Sequence, residues 1–499
     1  MLLKKTDKQK IIEIKGYKMK NIKFLIVLII LSTIINAQVS IIKTVRYGGA
    51  NSDISLNAIK LSDNNYIIVG STFSGDNTNS DILLIKVNNN GDIVWNKSFG
   101  SLAFDYCNAI AEDESGNLYL TGNSNLKGSK DIFLIKTDKD GNLLWEKYYE
   151  EEGIQSATGI CITQNAIYLN GYTNNLTGGD YDLYVTNTDK EGNIIWQKKI
   201  GGTGSELASN IITKDDYIVC AGSTGSFNAV NRDMLAIKMD FQGNIVWQKN
   251  LNRNNFDSAG KIIATLDGGF TFIGNSDRHG SDFMDISIFK LTDAGVKKWG
   301  VYKEAYNYYD YGADITEIDK NMFIAIGNCK KDNYNNDILI TEVDSLGNTQ
   351  WNHIIDFGKN EWATNILKIT SDRFMLIGFT NSEDGNYDIF NTIFEINTSS
   401  AEGESFVPKT FLYNNYPNPF NPSTTISYSL AEASDVKLQI FDITGQVIKE
   451  LVNGYQNSGS YSVMWEGKAD NGNTACSGVY FCLLSVGKKN FINKLTLLK

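Results

Sequence analysis

Residues 157 to 202 read ATGICITQNAIYLNGYTNNLTGGDYDLYVTNTDKEGNIIWQKKIGG. Four short runs rich in Ile, Val, Tyr, Leu and Thr are separated by Asn, Asp and Gly turns, and no helical apolar period runs through them. Strong strand formers bounded by turn residues predict a small antiparallel meander of four strands. Helix is not expected.

The stretch is one copy of a repeat. Trp95, Trp145, Trp196, Trp247, Trp299 and Trp351 recur every 50 to 52 residues, each four places after a glycine in a D-x-x-G-N-x-x-W type of phrase. A fixed period of this size marks one supersecondary unit copied in tandem. Two further markers keep the same period. A run ends in glycine at Gly70, Gly122, Gly171, Gly222, Gly274, Gly327 and Gly378, and an aspartate opens the next at Asp81, Asp131, Asp182, Asp233, Asp285, Asp337 and Asp388.

These two markers occur seven times and the tryptophan only six. The last repeat stops near Ile396 without its G-N-x-x-W strand, while IIKTVRYGG at Ile41 to Gly49 resembles IVWNKSFGS at Ile93 to Ser101, with Lys43 at the tryptophan position. Open arrays of sheets leave edges unpaired, and closure removes that liability. The expected fold class is therefore all-β: a seven-bladed β-propeller of four-stranded antiparallel blades over residues 38–397, closed by its amino-terminal strand. Small residues early in each repeat (Cys107, Ala157, Ala208, Ala259, Gly312 and Ala363) suit strands crowded around an axis. The tryptophans, on the outermost strands, are expected to pack between blades.

Met19 begins MKNIKFLIVLIILSTIINAQ, a basic start, a dozen apolar residues and a small residue at Ala37. That is the pattern of a secretory signal peptide cut after Ala37, so residues 1–37 are set aside from the fold. An uncleaved anchor would want about 20 apolar residues. Without this leader, which holds eight Lys and two acidic residues, the net charge moves from −11 to −17. So acidic a chain repels phosphate backbones, and nucleic acid is not an expected partner. No later segment is long and apolar enough for a transmembrane helix. The six cysteines have no CxxC spacing and fall at different points of their repeats, which suits buried free thiols better than a disulfide framework or a metal site.

Acids also recur before the first strand of each repeat, at Asp53, Asp105, Glu206, Asp257, Asp310 and Glu361, interrupted by Gln155. In a four-stranded meander they share a face with the aspartates that open the third strands. These six are the candidate ligand-binding residues, as an acidic rim around a channel, and calcium is the cofactor such a rim would take. The plainer reading is that acids cap loop amides, which explains their repetition. Tyr306, Tyr308, Tyr309 and Tyr311 would suit sugar stacking or protein contact. Catalytic candidates are weaker. Only His279 and His353 exist, neither in a motif with a nucleophile. A polysaccharide hydrolase or lyase using two channel carboxylates is the alternative to a binding or scaffold protein.

All four prolines, Pro408, Pro417, Pro419 and Pro422, fall within fifteen residues. Proline cannot donate to a strand ladder, so the cluster marks a change of unit, with residues 398–412 as linker. After it come Tyr416-Pro417-Asn418-Pro419-Phe420-Asn421-Pro422-Ser423-Thr424, then Phe441-Asp442-Ile443-Thr444-Gly445, Gly478-Val479-Tyr480, and a tail from Lys494 to Lys499. Residues 413–499 resemble the type A carboxy-terminal sorting domain of the type IX secretion system, a small immunoglobulin-like β-sandwich. A related flagellar hook-capping immunoglobulin-like module shares the NPFNP opening. The resemblance implies the type IX machinery as partner, export across the outer membrane, and a secreted or surface-attached product offering its propeller to a glycan or protein. From the residues alone, Val436-Lys437-Leu438-Gln439-Ile440-Phe441 alternates as a half-buried strand does.

Overall fold

The computed structural model describes residues 38–498 apart from 74–78, 102, 127, 129, 151–152, 175–179, 230, 252–255, 278–283, 304, 306–308, 331–334, 382–384, 398–409, 413–414, 416–419, 431–432, 457–458 and 488. The expected leader, His279, Tyr306, Tyr308, and the sorting-motif residues Tyr416, Pro417, Asn418, Pro419 and Lys499 lie outside the described residues. Among those described, no helix is long and apolar enough to cross a membrane.

Gln38 to Asn397 folds as repeated four-stranded antiparallel sheets, seven among the described residues. The first comprises Asp53–Lys60, Tyr66–Thr72, Asp81–Val87 and Ile93–Phe99, each strand paired with the next in the chain. Five more begin at Asp105, Ile154, Glu206, Asp257 and Asp310. The seventh draws Glu361–Lys368, Arg373–Asn381 and Tyr387–Asn397 from the end of the array and its fourth strand, Gln38–Tyr47, from the beginning. Lys43 lies opposite Ile393 just past a bulge, the place Trp95 holds opposite Lys86 in the first sheet.

The D-x-x-G-N phrase is a turn held by its aspartate. Asp138 Oδ1 accepts the amides of Asp140 and Asn142 at 2.9 and 2.8 Å, Oδ2 accepts Asn142 Nδ2 at 2.7 Å, and Gly141 takes φ 74°. Asx-type bonding of this kind fixes a hairpin at the one position where only glycine is at ease. Asp189, Asp240 and Asp344 repeat it with Asn193, Asn244 and Asn348.

Each such turn is covered by the tryptophan of the preceding sheet. Trp196, Trp247 and Trp299 donate their indole N–H to the carbonyls of Phe241, Asp293 and Ser345, at 3.1, 3.0 and 2.9 Å. Apolar clusters continue across the same junctions: Tyr168, Leu183 and Val185 pack with Ile218, Cys220 and Leu235 of the next sheet. The same holds between seventh and first, where Met375, Ile389 and Ile393 pack with Tyr66, Ile68 and Ile85. Burying an aliphatic or aromatic side chain of this size contributes roughly 1.5–3 kcal/mol, so the junctions are the core.

The carboxy-terminal unit has a three-stranded sheet of Phe411–Leu412, Thr424–Leu430 and Gly459–Trp465, and a four-stranded sheet of Ser434–Phe441, Val447–Gln456, Gly478–Val486 and Lys489–Leu497. Leu412 is buried in its core, so the last residues of the segment expected as linker belong to this unit. Phe420 and Tyr480 meet on buried Trp465, with ring centroids 5.3 and 5.2 Å from it. Gly445 has φ 83° in a turn closed by Asp442, Gly478 begins a strand, and Lys494 is exposed on the last strand.

Candidate functional site

Asp53 faces Thr72, which faces Asp81, so the acids opening the first and third strands do share one end of the sheet. The structure places all six candidate acids inside the junctions between sheets: Asp53, Asp105, Glu206, Asp257, Asp310 and Glu361 are at most 3% exposed. Their oxygens face loop amides. Asp53 accepts Gly49 N–H at 2.7 Å, Asp105 accepts Ser101 at 2.8 Å, Glu206 accepts Gly202 at 2.9 Å, Asp310 accepts Ala305 at 2.7 Å and Glu361 accepts Lys359 at 2.9 Å. The repeating job is to cap the loop that enters each sheet. A need that recurs at the start of each sheet explains six acids and, at Gln155, an amide.

Four places after each of these positions stand Asn57, Ala109, Gly159, Asn210, Lys261, Asp314 and Asn365. Several of them meet although their sheets are far apart in the chain: Lys261 Nζ donates to Asn57 Oδ1 at 3.2 Å, and Asn365 Nδ2 lies 3.3 Å from Asn57 Oδ1 and 3.4 Å from Asp314 Oδ2. First, fifth, sixth and seventh sheets thus converge on one polar belt. Burial pushes the Lys261 pKa down, opposed by the charge of Asp314, and pushes the Asp314 pKa up, opposed by Lys261. Lys261 keeps partial exposure although protein surrounds it. The belt holds one carboxylate beside an ammonium, where glycoside hydrolysis needs two acids.

A different set makes a groove on the face where first strands begin. Tyr309, Tyr311, Lys330, Asn335, Asn336, Asn360 and Trp362 line a hollow of about 280 Å³. Tyr309 and Tyr311 stack at 6.1 Å with planes 5° apart, Trp362 lies over Phe379 at 6.3 Å and 11°, and Lys330 stands 5.7 Å from the Tyr309 ring. Asn360 Oδ1 accepts both the main-chain amide and the Nδ2 of Asn336, at 3.0 and 2.8 Å. Flat rings next to fixed amides and one cation can hold a polar ring by its apolar face and its hydroxyls. Sequence reasoning found Tyr309 and Tyr311 by composition, met Asn335 and Asn336 only as part of a loop resembling a calcium loop, and missed Trp362, Lys330 and Asn360. The signal available was the residue after each of the six acids and Gln155: aromatic at Tyr106, Tyr311 and Trp362, and aliphatic or Ser at the other four.

A second hollow, about 500 Å³, opens at the other sheet end between Thr163–Ala166, Trp196 and Phe241. Trp196, Tyr168 and Phe241 pack on one another there, so it is the outer margin of a core junction. His353 is on an outer strand, half-buried, its pKa lowered by burial.

Residues 420–486 match the family model described as FlgD Ig-like domain. No curated protein matches the chain. Solved structures similar to it include a protein of unknown function from Dyadobacter fermentans (TM-score 0.42, 11% identity, 72% of this chain and 99% of that one). Sqt1 from Chaetomium thermophilum is similar at TM-score 0.43 and 10% identity, over 72% of this chain and 100% of that one. PorZ, a surface component of the type-IX secretion system of Porphyromonas gingivalis, has TM-score 0.27 and 12% identity, over 90% of this chain and 82% of that one. At these scores the likenesses bear no functional argument. Behind its array of four-stranded repeats the chain thus has a carboxy-terminal unit that is similar to the FlgD Ig-like domain.

Proposed function

We propose that this chain is an exported or surface-displayed binding protein: a seven-bladed β-propeller over residues 38–397, sealed by Gln38–Tyr47, that offers the Tyr309–Tyr311–Trp362 groove to a glycan. The groove is the observation that carries the reading. Three of its side chains are aromatic and three are amides, a composition that stacks sugars and reads hydroxyls. The near-uniform capping acids favour scaffold over catalysis, since an active site is rarely repeated in every unit.

Export by the type IX system is part of the proposal. It rests on the leader before Gln38, on an acidic exported chain, and on Phe420, Gly445, Gly478, Tyr480 and Lys494 standing where the sorting-domain resemblance asks for them. Two experiments test the halves separately. A glycan array probed with residues 38–499 should give hits that Trp362→Ala and Tyr311→Ala abolish while the circular dichroism spectrum is kept; hits unaffected by both variants defeat the groove reading. Deleting residues 413–499 should hold the propeller in the periplasm of a type IX host, and unimpaired appearance outside the cell refutes the sorting assignment.

A further inference from the structure

The residue that follows each outer strand differs among the sheets. It is glycine at Gly48, Gly100 and Gly201, where a Cβ would sit 1.7–1.8 Å from an oxygen of Asp388, Asp81 or Asp182. The aspartate opening the third strand packs against that glycine, so no side chain fits. Between the sixth and seventh sheets the same place holds Asp356, just after the strand Thr349–Ile355, and the junction is rebuilt around it. Asp337, Asp356 and Glu361 each offer an oxygen here, all within 4.8 Å of one another.

Glu361 makes this more than a cluster of acids. It is fully buried, its Oε1 takes the Lys359 amide at 2.9 Å, and its buried Oε2 meets no donor among the described residues. An ionised oxygen left so in the interior is costly unless a cation or a proton meets it. Burial first, then the charges of Asp356 and Asp337, push its pKa up to about 7, against the opposing charge of Arg46. Asp356 is exposed and Asp337 buried, so the site has an open side for water ligands.

We infer that Asp337, Asp356 and Glu361 hold a divalent cation, and that the cation is calcium. The donors are oxygen only, with one side open to water, and calcium takes such mixed carboxylate and water oxygens in a flexible sphere with bonds of about 2.3–2.6 Å. Magnesium, at about 2.0–2.1 Å, requires a tighter octahedron. Glu361 is followed directly by Trp362 of the groove, so the ion would fix the strand start from which that ring projects. The site itself does not depend on what the groove binds.

The test uses residues 38–499 stripped with chelator, then titrated with terbium and, separately, with calcium or magnesium. Trp362, the residue next to Glu361 in the chain, should sensitise terbium emission, which calcium should displace. Calcium at a hundredfold excess over its Kd should raise Tm by on the order of 3 °C. Asp356→Gly restores the residue three other junctions use and is expected to fold; it and Glu361→Gln should each weaken calcium at least tenfold. Failure of calcium to shift Tm or displace terbium in the unaltered protein overturns the site, and so does an equal response in both variants. Glycan binding measured in chelator keeps the groove reading separately testable.

Discussion

Lys43, on the strand that begins the array, forms an ion pair with Asp92 in the turn of the first sheet. Its neighbour Tyr47 adds a hydrogen bond to the Gly91 carbonyl at 2.9 Å. Where the other junctions are covered by an indole, this one is held by a half-exposed charge. Trp247→Ala should therefore cost about 3 kcal/mol, as removal of a large packed aromatic does, and Lys43→Ala less than about 1 kcal/mol, as exposed pairs do. Urea unfolding at low and high salt checks both, with only the Lys43 effect shrinking in salt.

Gly295 and Gly268 both have positive φ, 73° and 86°. A Cβ on Gly295 would stand 3.0 Å from the Trp247 ring, whereas one on Gly268 meets nothing within 4 Å. Gly268→Ala is expected to cost about 1 kcal/mol for its backbone alone, and Gly295→Ala roughly twice that because the indole must move. Thermal unfolding of the pair separates the two terms; equal losses would contradict the packing.

Asp267 accepts Lys290 at 2.6 Å and Lys298 at 2.8 Å, and the Lys290 side chain is only 1% exposed. Although burial alone would raise it, the two lysines, Thr265 and the Gly269 amide hold the Asp267 carboxyl well below the usual range. Asp267→Ala leaves Lys290 buried with Thr265 as its remaining partner and should destabilise by about 3 kcal/mol. Lys298→Ala, at the exposed end of the same carboxylate, should cost little.

Glu361 sets a pH dependence of definite sign. Its folded pKa, about 7, lies above its ordinary value of 4.5, so the folded state binds the proton more tightly than the unfolded chain. The stability this contributes is present below about pH 4.5 and lost as pH rises through 7. In chelator, the stability of Glu361→Gln relative to the unaltered protein should therefore grow between pH 5 and 8. A difference that stays flat across that range would show that Glu361 does not titrate there.

Cys107, Cys161, Cys220, Cys329 and Cys482 are buried, and Cys476 is exposed. Burial pushes the thiols of Cys107, Cys220 and Cys482 up to about 12 and raises those of Cys161 and Cys329 as well. Thiolate is the reactive form. An aromatic disulfide reagent should find one rapid thiol in the native protein and six in denaturant, and Cys476→Ser should remove the rapid one.

Strand pattern, turn chemistry and the place of Lys43 were legible because each repeats a period and answers a local need. Trp196, Gly243 and Asp240 recur together since all serve one turn: the aspartate holds it, the glycine bends it and the indole covers it. The capping acids were legible as a set, yet their burial was not: only the loop amides reveal that Asp53 and Glu206 face inward. The belt of Lys261, Asp314 and Asn57 was hidden because its members differ at every repeat and meet across the array. Trp362 and Lys330 share a groove for the same reason, through three-dimensional adjacency that a one-dimensional period does not carry.

The pairing of Gln38–Tyr47 with Tyr387–Asn397 also sets an order of events. In a chain delivered amino terminus first, the strand that arrives earliest waits for the partner that arrives last. Until residue 397 is free, both strand edges stay unpaired and the largest loop closure in the array is still owed. The seam between Gln38–Tyr47 and Tyr387–Asn397 is therefore the pairing that closes last, and a chain stopped short of residue 397 is left with both edges open.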